Sequence, residues 1–533
     1  PTNSSTGSTS SAPVVMIVFD GFCSMPLLNA DHEIDGERYP NFRRLADAST
    51  WYRNATTVHH RTSNAIPAIL TGRFPPADAP PVLSSYPDNL LWVMHEGQQY
   101  DMTVFEPFTR LCPDSLRFPR PDQPLTERVA AALGTLACVY FDVNLPHDAI
   151  PYRPGIPLEW LRLAGENVLQ EQRTGLVIYG WSALRKQQFE HFRECIVPSE
   201  QPTFHYLHVV LPHDPWVYLP SGHQYSDEGG LLDTPPGAHG DVGEDWGPDP
   251  WAAAAGWQRY LLQLQAVDRH IGLLLDRLEE TGLLDRALLI ITADHGMAFH
   301  AGQPRREPRP ETLPGIMAVP LFIKYPGQAE GVIDDRNAES IDILPTLADV
   351  LDLELPGLVD GASLIDPRET PRPRKTLIYG QGKELAIDPD FKDKFRYVDE
   401  MLALFGAGGP TDRLQRFSQR PEWIGRPLDS FKRGPPSSLI LELSYGSDWV
   451  NPQLPHIIPC YFEAWFDDEA KVPITLAVSV NGRIGQVATS LRDPDADRRW
   501  FALVQESMFH VGANDVQIFE VINVDGPRPE LRS

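Results

Sequence analysis

The chain is poor in the features that would mark several functional classes. Its five cysteines (Cys23, Cys112, Cys138, Cys195 and Cys460) are spread over 533 residues without CxxC spacing, which excludes a zinc ribbon and a dense disulfide framework. Positive charge is scarce: 46 Lys and Arg stand against 72 Asp and Glu, a net charge of −26. A nucleic-acid backbone is therefore not the expected partner, and an anionic substrate needs a local cationic site built from metal or from clustered Arg and His. No apolar run reaches the roughly 18 to 20 residues of a membrane helix. The sequence opens without methionine on PTNSSTGSTSSAP, and residues 1–12 read as a flexible Ser/Thr-rich linker. A signal or membrane anchor upstream and an extracytoplasmic location are the matching expectations.

What is present is material for a large core. With 42% hydrophobic residues the chain should divide into two or more domains. VVMIVF, from Val14 to Phe19, is short, continuous and β-branched, which predicts a strand buried on both faces of a parallel sheet. It ends in Asp20-Gly21. Tyr260, Leu264, Val267, Ile271, Leu274 and Leu278 recur at spacings of four and three, one apolar helix face, with Gly282 as the stop. RALLIITADHG then reads as another doubly buried strand running into Asp294-His295-Gly296. Ligand-binding groups in such sheets sit beyond the carboxyl ends of strands, so Asp20 and the Asp294-His295 pair should meet at one edge.

Further strands are expected at 174–180, 204–211 and 319–325, with Lys324 ending the last, and a helix at 340–353. His205 and His208 share one of these strands, and one of them is expected to be a buried structural histidine. Residues 221–250, rich in Gly, Asp and Pro, predict a long loop that could cover the site. Beyond Ser437 the pattern changes to period two, and Asn481-Gly482 between alternating runs signals a hairpin. The expected division is a catalytic domain over 13–370, a connecting segment over 371–436 and a C-terminal antiparallel, β-sandwich-like domain over 437–533.

The stretch HHRTSNAIPAILTG, residues 59–72, poses the chemical question. Thr62 or Ser63 could simply cap a buried helix. A hydroxyl at a helix N-terminus also faces free N–H groups and the positive dipole end, a setting that suits an oxyanion. Adjacent Asp294 and His295, together with Asp20, could hold a divalent cation, which would lower the pKa of a bound hydroxyl and polarise a phosphoryl or sulfuryl oxygen. His59, His60 and Arg61 could hold phosphate oxygens or form a solvated basic turn.

VVMIVFDG, TSNAIPAILTGRFP, VVLPHDPW, AVDRHIGLLLDRLEETGLLDRALLIITADHG, VPLFIKYPG and SIDILPTLADVL occur in an order and spacing that resemble the alkaline phosphatase/sulfatase superfamily, over about residues 13 to 365. The resemblance implies an α/β fold, a three-layer αβα sandwich with a mostly parallel central sheet, holding one or two divalent metals beside a covalent nucleophile. Sulfatases carry Cys-x-Pro-Ser-Arg ahead of a Thr-Gly. Aligned on Thr71-Gly72, the cysteine position is Thr62, and Asn64, Ala65 and Ile66 stand where Pro, Ser and Arg would be. A threonine there, with Pro67 five residues on, looks instead like the phosphoethanolamine and phosphoglycerol transferases and the nucleotide phosphodiesterase branch. By this resemblance Asp20, Thr62, Asp294 and His295 bind the metal. Zn2+ suits the set best, and Mn2+, Mg2+ and Ca2+ share oxygen-rich ligands. His213 in LPHDPW matches a substrate-binding histidine, and His300 a variable histidine that binds substrate or a second metal; either could protonate the leaving group. The implied activity is metal-dependent phosphoryl-ester hydrolysis, or transfer of a phospho-headgroup, through a phosphothreonine at Thr62. The substrate would be an anionic ester, including a lipid headgroup or glycan acceptor. Two alternatives stay open: a sulfate-ester hydrolase lacking the formylglycine motif, and a glycan-binding protein without catalysis.

Overall fold

A computed structural model describes residues 12–77, 79–113, 115–116, 185–225, 238–239, 245–365, 372–406, 412–443, 457–466, 473–491, 499–524, 526 and 529–533. Strands β1 (Val14–Asp20), β2 (Thr50–Tyr52), β3 (Asp101–Phe105), β4 (Thr203–Pro212), β5 (Leu288–Ala293), β6 (Leu321–Lys324) and β7 (Val332–Asp334) form a seven-stranded sheet in the order β7-β2-β6-β5-β1-β4-β3. β6 runs antiparallel to both neighbours, and every other pairing is parallel. The two runs that read as doubly buried, β1 and β5, lie side by side, with every residue buried.

Strand alternation sorts the core onto two faces. Val15, Ile17 and Phe19 of β1 pack with Phe42 of α1 (Pro40–Ala46), Phe189 and Phe192 of α3 (Arg185–Cys195) and the apolar stripe of α4 (Pro250–Glu280). Val14, Met16 and Val18 pack with Ile66, Ile69 and Leu70 of α2 (Thr62–Thr71) and with Ile343, Leu344 and Leu347 of α5 (Ile343–Leu351). The result is the three-layer αβα sandwich. The 174–180 strand lies outside the described residues, as does most of the 221–250 loop.

α4 runs for 31 residues and starts where Asp249 accepts the Trp251 N–H with Pro250 at the first position. It also fixes two strand ends. The Tyr260 hydroxyl donates to Gly21 O (3.2 Å) and accepts from Cys23 N (3.0 Å), gripping the turn after Asp20. One turn on, Gln263 donates to Pro212 O (3.0 Å) and His213 O (2.9 Å) and accepts from Val217 N (3.0 Å). Arg185 of α3 adds donors to Val210 O, His213 O and Pro215 O.

Residues 375–405 join the main core: the hairpin of β8 (Lys375–Tyr379) and β9 (Lys383–Ile387) buries Leu377, and α6 (Lys394–Phe405) buries Tyr397, Val398, Met401 and Phe405. Ile378 N donates to Val58 O (2.8 Å), so β8 braces the segment that leads into α2. The C-terminal part adds β10 (Lys432–Arg433), β11 (Leu441–Leu443), β12 (Tyr461–Phe466), β13 (Thr475–Val480), β14 (Arg483–Thr489), β15 (Arg499–Leu503), β16 (Val516–Ile522) and β17 (Glu530–Arg532). They make a five-stranded sheet, β10-β17-β16-β13-β14, and a three-stranded sheet, β11-β12-β15. Pairing is antiparallel except between β10 and β17. Asn481 (φ 51°) and Gly482 (φ 75°) make the hairpin turn between β13 and β14. Tyr461 of β12 packs at a tilt against Tyr225 (ring centroids 5.2 Å apart) and under Arg259 of α4, joining the β sheets to the sandwich. The four described cysteines are free thiols. No helix among the described residues is long and apolar enough to cross a membrane.

Candidate active site

Asp20, at the end of β1, and Asp294, one residue past β5, stand on the α2 face by strand parity, and α2 brings its first residue to them. Thr62 is that first residue. Arg61 occupies the N-cap without a side-chain cap bond, so neither Thr62 nor Ser63 caps the helix. The Ser63 hydroxyl bonds Asn64 Oδ1 (2.9 Å), whereas Thr62 Oγ1 lies 3.5 Å from Asp20 Oδ2 and 3.3 Å from His295 Nε2. Of the two hydroxyls, only that of Thr62 reaches the carboxylates.

His295 Nε2 lies 3.9 Å from Asp20 Oδ1 and 3.6 Å from Asp294 Oδ2, and its Nδ1 donates to Gly296 O (2.9 Å), which leaves Nε2 as a lone pair facing the cluster. Asp294 Oδ1 accepts from His295 N (2.6 Å) and Gly21 N (3.2 Å). Gly296 is required by space: a Cβ there would sit 2.1 Å from Gly315 O and 3.1 Å from Cys23 Cα. His213 enters from the turn after β4, with Nε2 4.0 Å from Asp20 Oδ1 and Nδ1 donating to Asp214 O (2.8 Å).

Burial sets the protonation states. It pushes Asp20 up to about 8, helped by the Asp294 charge, and Asp294 up to about 7. The same desolvation pushes His295 down to about 4 and His213 to about 3, so the rings are neutral near pH 7. Asp20 Oδ1, Asp294 Oδ2, His213 Nε2 and both ring nitrogens of His208 are buried without a hydrogen-bond partner. Each such orphan costs about 1–3 kcal/mol. Ligand atoms about 2.0–2.2 Å from one cation lie roughly 3 to 4 Å from one another, and the separations here run from 3.3 to 4.0 Å. The donor set fits a divalent cation on chemistry and spacing alike.

Three residues outside the expected set belong to this neighbourhood. His208 Nε2 lies 3.9 Å from Asp20 Oδ2. Arg306, half-buried and without an ion pair among the described residues, bears on Asp20, Asp294, His213 and His295 alike. Its neighbour Arg305 is an anchor. It bonds Asp214 Oδ1 (2.7 Å), with both side chains buried, and its guanidinium lies over Trp216 (5.4 Å) and Trp246 (5.6 Å). This pair ties the His213 turn to the Arg306 loop. Arg305→Met should cost about 3–5 kcal/mol, because the Asp214 charge would be left buried and unpaired. Chemical denaturation of the variant beside Arg305→Met/Asp214→Asn checks it, with the double variant recovering part of the loss.

The other expected residues sit apart from these contacts. His300 Nε2 is engaged by Glu400 Oε2 of α6 (2.8 Å). Arg61 Nε donates to His60 Nε2 (3.3 Å), and the rings of His59 and His60 stack at 4.8 Å. Burial pushes His59 down to about 3 and His60 to about 2, so both are neutral. Lys324 is buried at the end of β6.

The family model described as Sulfatase matches residues 14–353, well over half of the chain. The chain belongs to the sulfatase family. It is thereby a member of the alkaline phosphatase/sulfatase superfamily, and Asp20, Thr62, Asp294 and His295 all fall inside the matched span. This sulfatase-family chain is 30% identical over 118 residues to an ulvan-active sulfatase of Formosa agariphila, covering 22% of this chain and 23% of that protein. It is 35% identical over 120 residues to a 2,3-bisphosphoglycerate-independent phosphoglycerate mutase of Cyanothece sp., covering 22% of each. These curated relatives are thus spanned over less than a quarter of their length. Among solved structures, the phosphonate monoester hydrolase of Agrobacterium radiobacter aligns at 18% identity with a TM-score of 0.44, over 69% of this chain and 80% of that one.

Proposed function

We propose that this protein is a metal-dependent esterase of anionic substrates in which Thr62 is the nucleophile, acting on phosphoryl esters by hydrolysis or by transfer to an acceptor alcohol. The observation that carries the reading is the Thr62 hydroxyl at the start of α2, 3.5 Å from Asp20 and 3.3 Å from His295, among buried ligands that lack partners. A divalent cation held by Asp20, Thr62, Asp294 and His295 would lower the pKa of the hydroxyl and draw charge from the ester oxygens.

The chain's own groups account for the remaining steps. Thr62 Oγ1 loses its proton to solvent and forms a bond to phosphorus as the bond to the leaving oxygen breaks; the departing alkoxide takes a proton from water, because His213 is neutral and its one proton, at Nδ1, is held by Asp214 O. The free N–H groups at the start of α2 and the Arg306 guanidinium face the negative charge of the transferred group. An acceptor hydroxyl or water then attacks phosphorus, and Thr62 leaves as its hydroxyl.

A sulfate ester is the second reading, favoured by the family and by the similarity to the ulvan-active sulfatase. Against it stands Thr62 where the formylglycine precursor cysteine would be. Aryl phosphate monoester, bis-aryl phosphate and aryl sulfate assayed side by side decide between them. Turnover of the two phosphate esters at least 100-fold above the sulfate is expected, and the reverse order would establish the sulfatase reading.

A further inference from the structure

The orphaned histidine of β4 extends the site. His208 pairs in register with Val18 of β1, two residues before Asp20, and shares the α2 face with Phe204 and Tyr206. It is fully buried, and neither ring nitrogen has a hydrogen-bond partner. Its Nε2 is 3.9 Å from Asp20 Oδ2, and it offers a ligand atom within 4.8 Å of those from Asp20 and Asp294. His205 provides the contrast on the same strand. Three residues away and so on the opposite face, it is equally unpartnered, but it meets the edge of Phe192 at 6.4 Å and has no ion pair among the described residues. An unpartnered ring against a phenyl group is a packing cost, whereas an unpartnered ring aimed at two carboxylates is half of a coordination shell.

We infer that His208 is a ligand of the cation, delivered by β4 in addition to Asp20, Thr62, Asp294 and His295. The inference rests on the metal-dependent reading above and deepens it, because the ligands become two imidazoles, two carboxylates and a hydroxyl. Ca2+ and Mg2+ prefer shells made of oxygen, while imidazole nitrogen suits Zn2+. The second imidazole thus makes this site selective for a transition metal over Ca2+.

The test is metal binding rather than turnover. Equilibrium dialysis of the metal-stripped full chain against Zn2+ or Ca2+, read by elemental analysis, should show His208→Ala weakening Zn2+ at least 10-fold while Ca2+ changes less than 3-fold. His205→Ala should leave both unchanged. A Zn2+ loss below 3-fold, or equal losses for both ions, would overturn the proposal. Should His208→Ala fail to fold, the wild-type protein loaded with Mn2+ gives the answer by pulsed electron paramagnetic resonance. Coupling to two imidazole nitrogens is expected, and coupling to one alone would refute the assignment. Failure of the parent reading looks different, because the wild-type chain would then bind neither ion.

Discussion

Thr62→Ala should abolish turnover while leaving the fold in place. Removing a nucleophile that acts with its activating groups as a unit costs on the order of 10⁴ to 10⁶ in kcat, and little can substitute here. Ser63, the adjacent hydroxyl, is committed to Asn64, and water would have to enter a cluster whose side chains at positions 20, 294 and 295 are wholly buried. The wild-type enzyme, quenched in acid during turnover of a labelled phosphate ester, should carry label on the peptide containing Thr62. The alanine variant should carry none, and Thr62→Ser should retain label with a reduced rate. Full activity in Thr62→Ala would remove the covalent mechanism.

Stripping the metal should have an effect of similar size. With the cation gone, burial and the mutual repulsion of Asp20 and Asp294 favour protonated carboxyls, and a hydroxyl beside protonated carboxyls has nothing to draw its proton away. Dialysis against a strong chelator should reduce activity to below about 1% of the starting value, since Lewis-acid activation supplies several kcal/mol of the lowered barrier. Zn2+ or Mn2+ should restore it. The same treatment should lower the midpoint of thermal unfolding, because a ligand at 1,000 times its Kd stabilises the folded state by about 4 kcal/mol. Asp294→Asn should resemble the stripped protein and fail to recover on adding metal. An enzyme indifferent to chelation would contradict the proposed function.

Much of this arrangement was legible in the sequence because the deciding signals are local. Two doubly buried strands ending in Asp-Gly and Asp-His-Gly announce both a parallel sheet and the edge at which acidic groups collect, and Asn-Gly marks its hairpin with equal economy. The order of the strands was not legible, since pairing is decided between segments far apart in the chain. Nor was the position of His208 beside Asp20. Alternation puts His205 and His208 on opposite faces, but only the position of α2 tells which face holds the site. Arg305 and Arg306 are neighbours in a proline-rich loop that offers no local signal to tell them apart. The structure separates them, sending one under two tryptophans and the other toward the carboxylates, and no periodicity in the sequence encodes that division. The capping question turned on a single residue: with Arg61 at the cap, the hydroxyl of Thr62 is released from the helix backbone.

The clasp formed by Tyr260 and Gln263 has a consequence for how such a centre can diversify. Both jaws belong to one helix, so the turn bearing Asp20 and the turn bearing His213 cannot drift independently and keep their spacing as one casting. If the proposed esterase is to accept other esters, the change falls to loops that Tyr260 and Gln263 do not hold, where a new shape alters what is admitted without disturbing what is done to it.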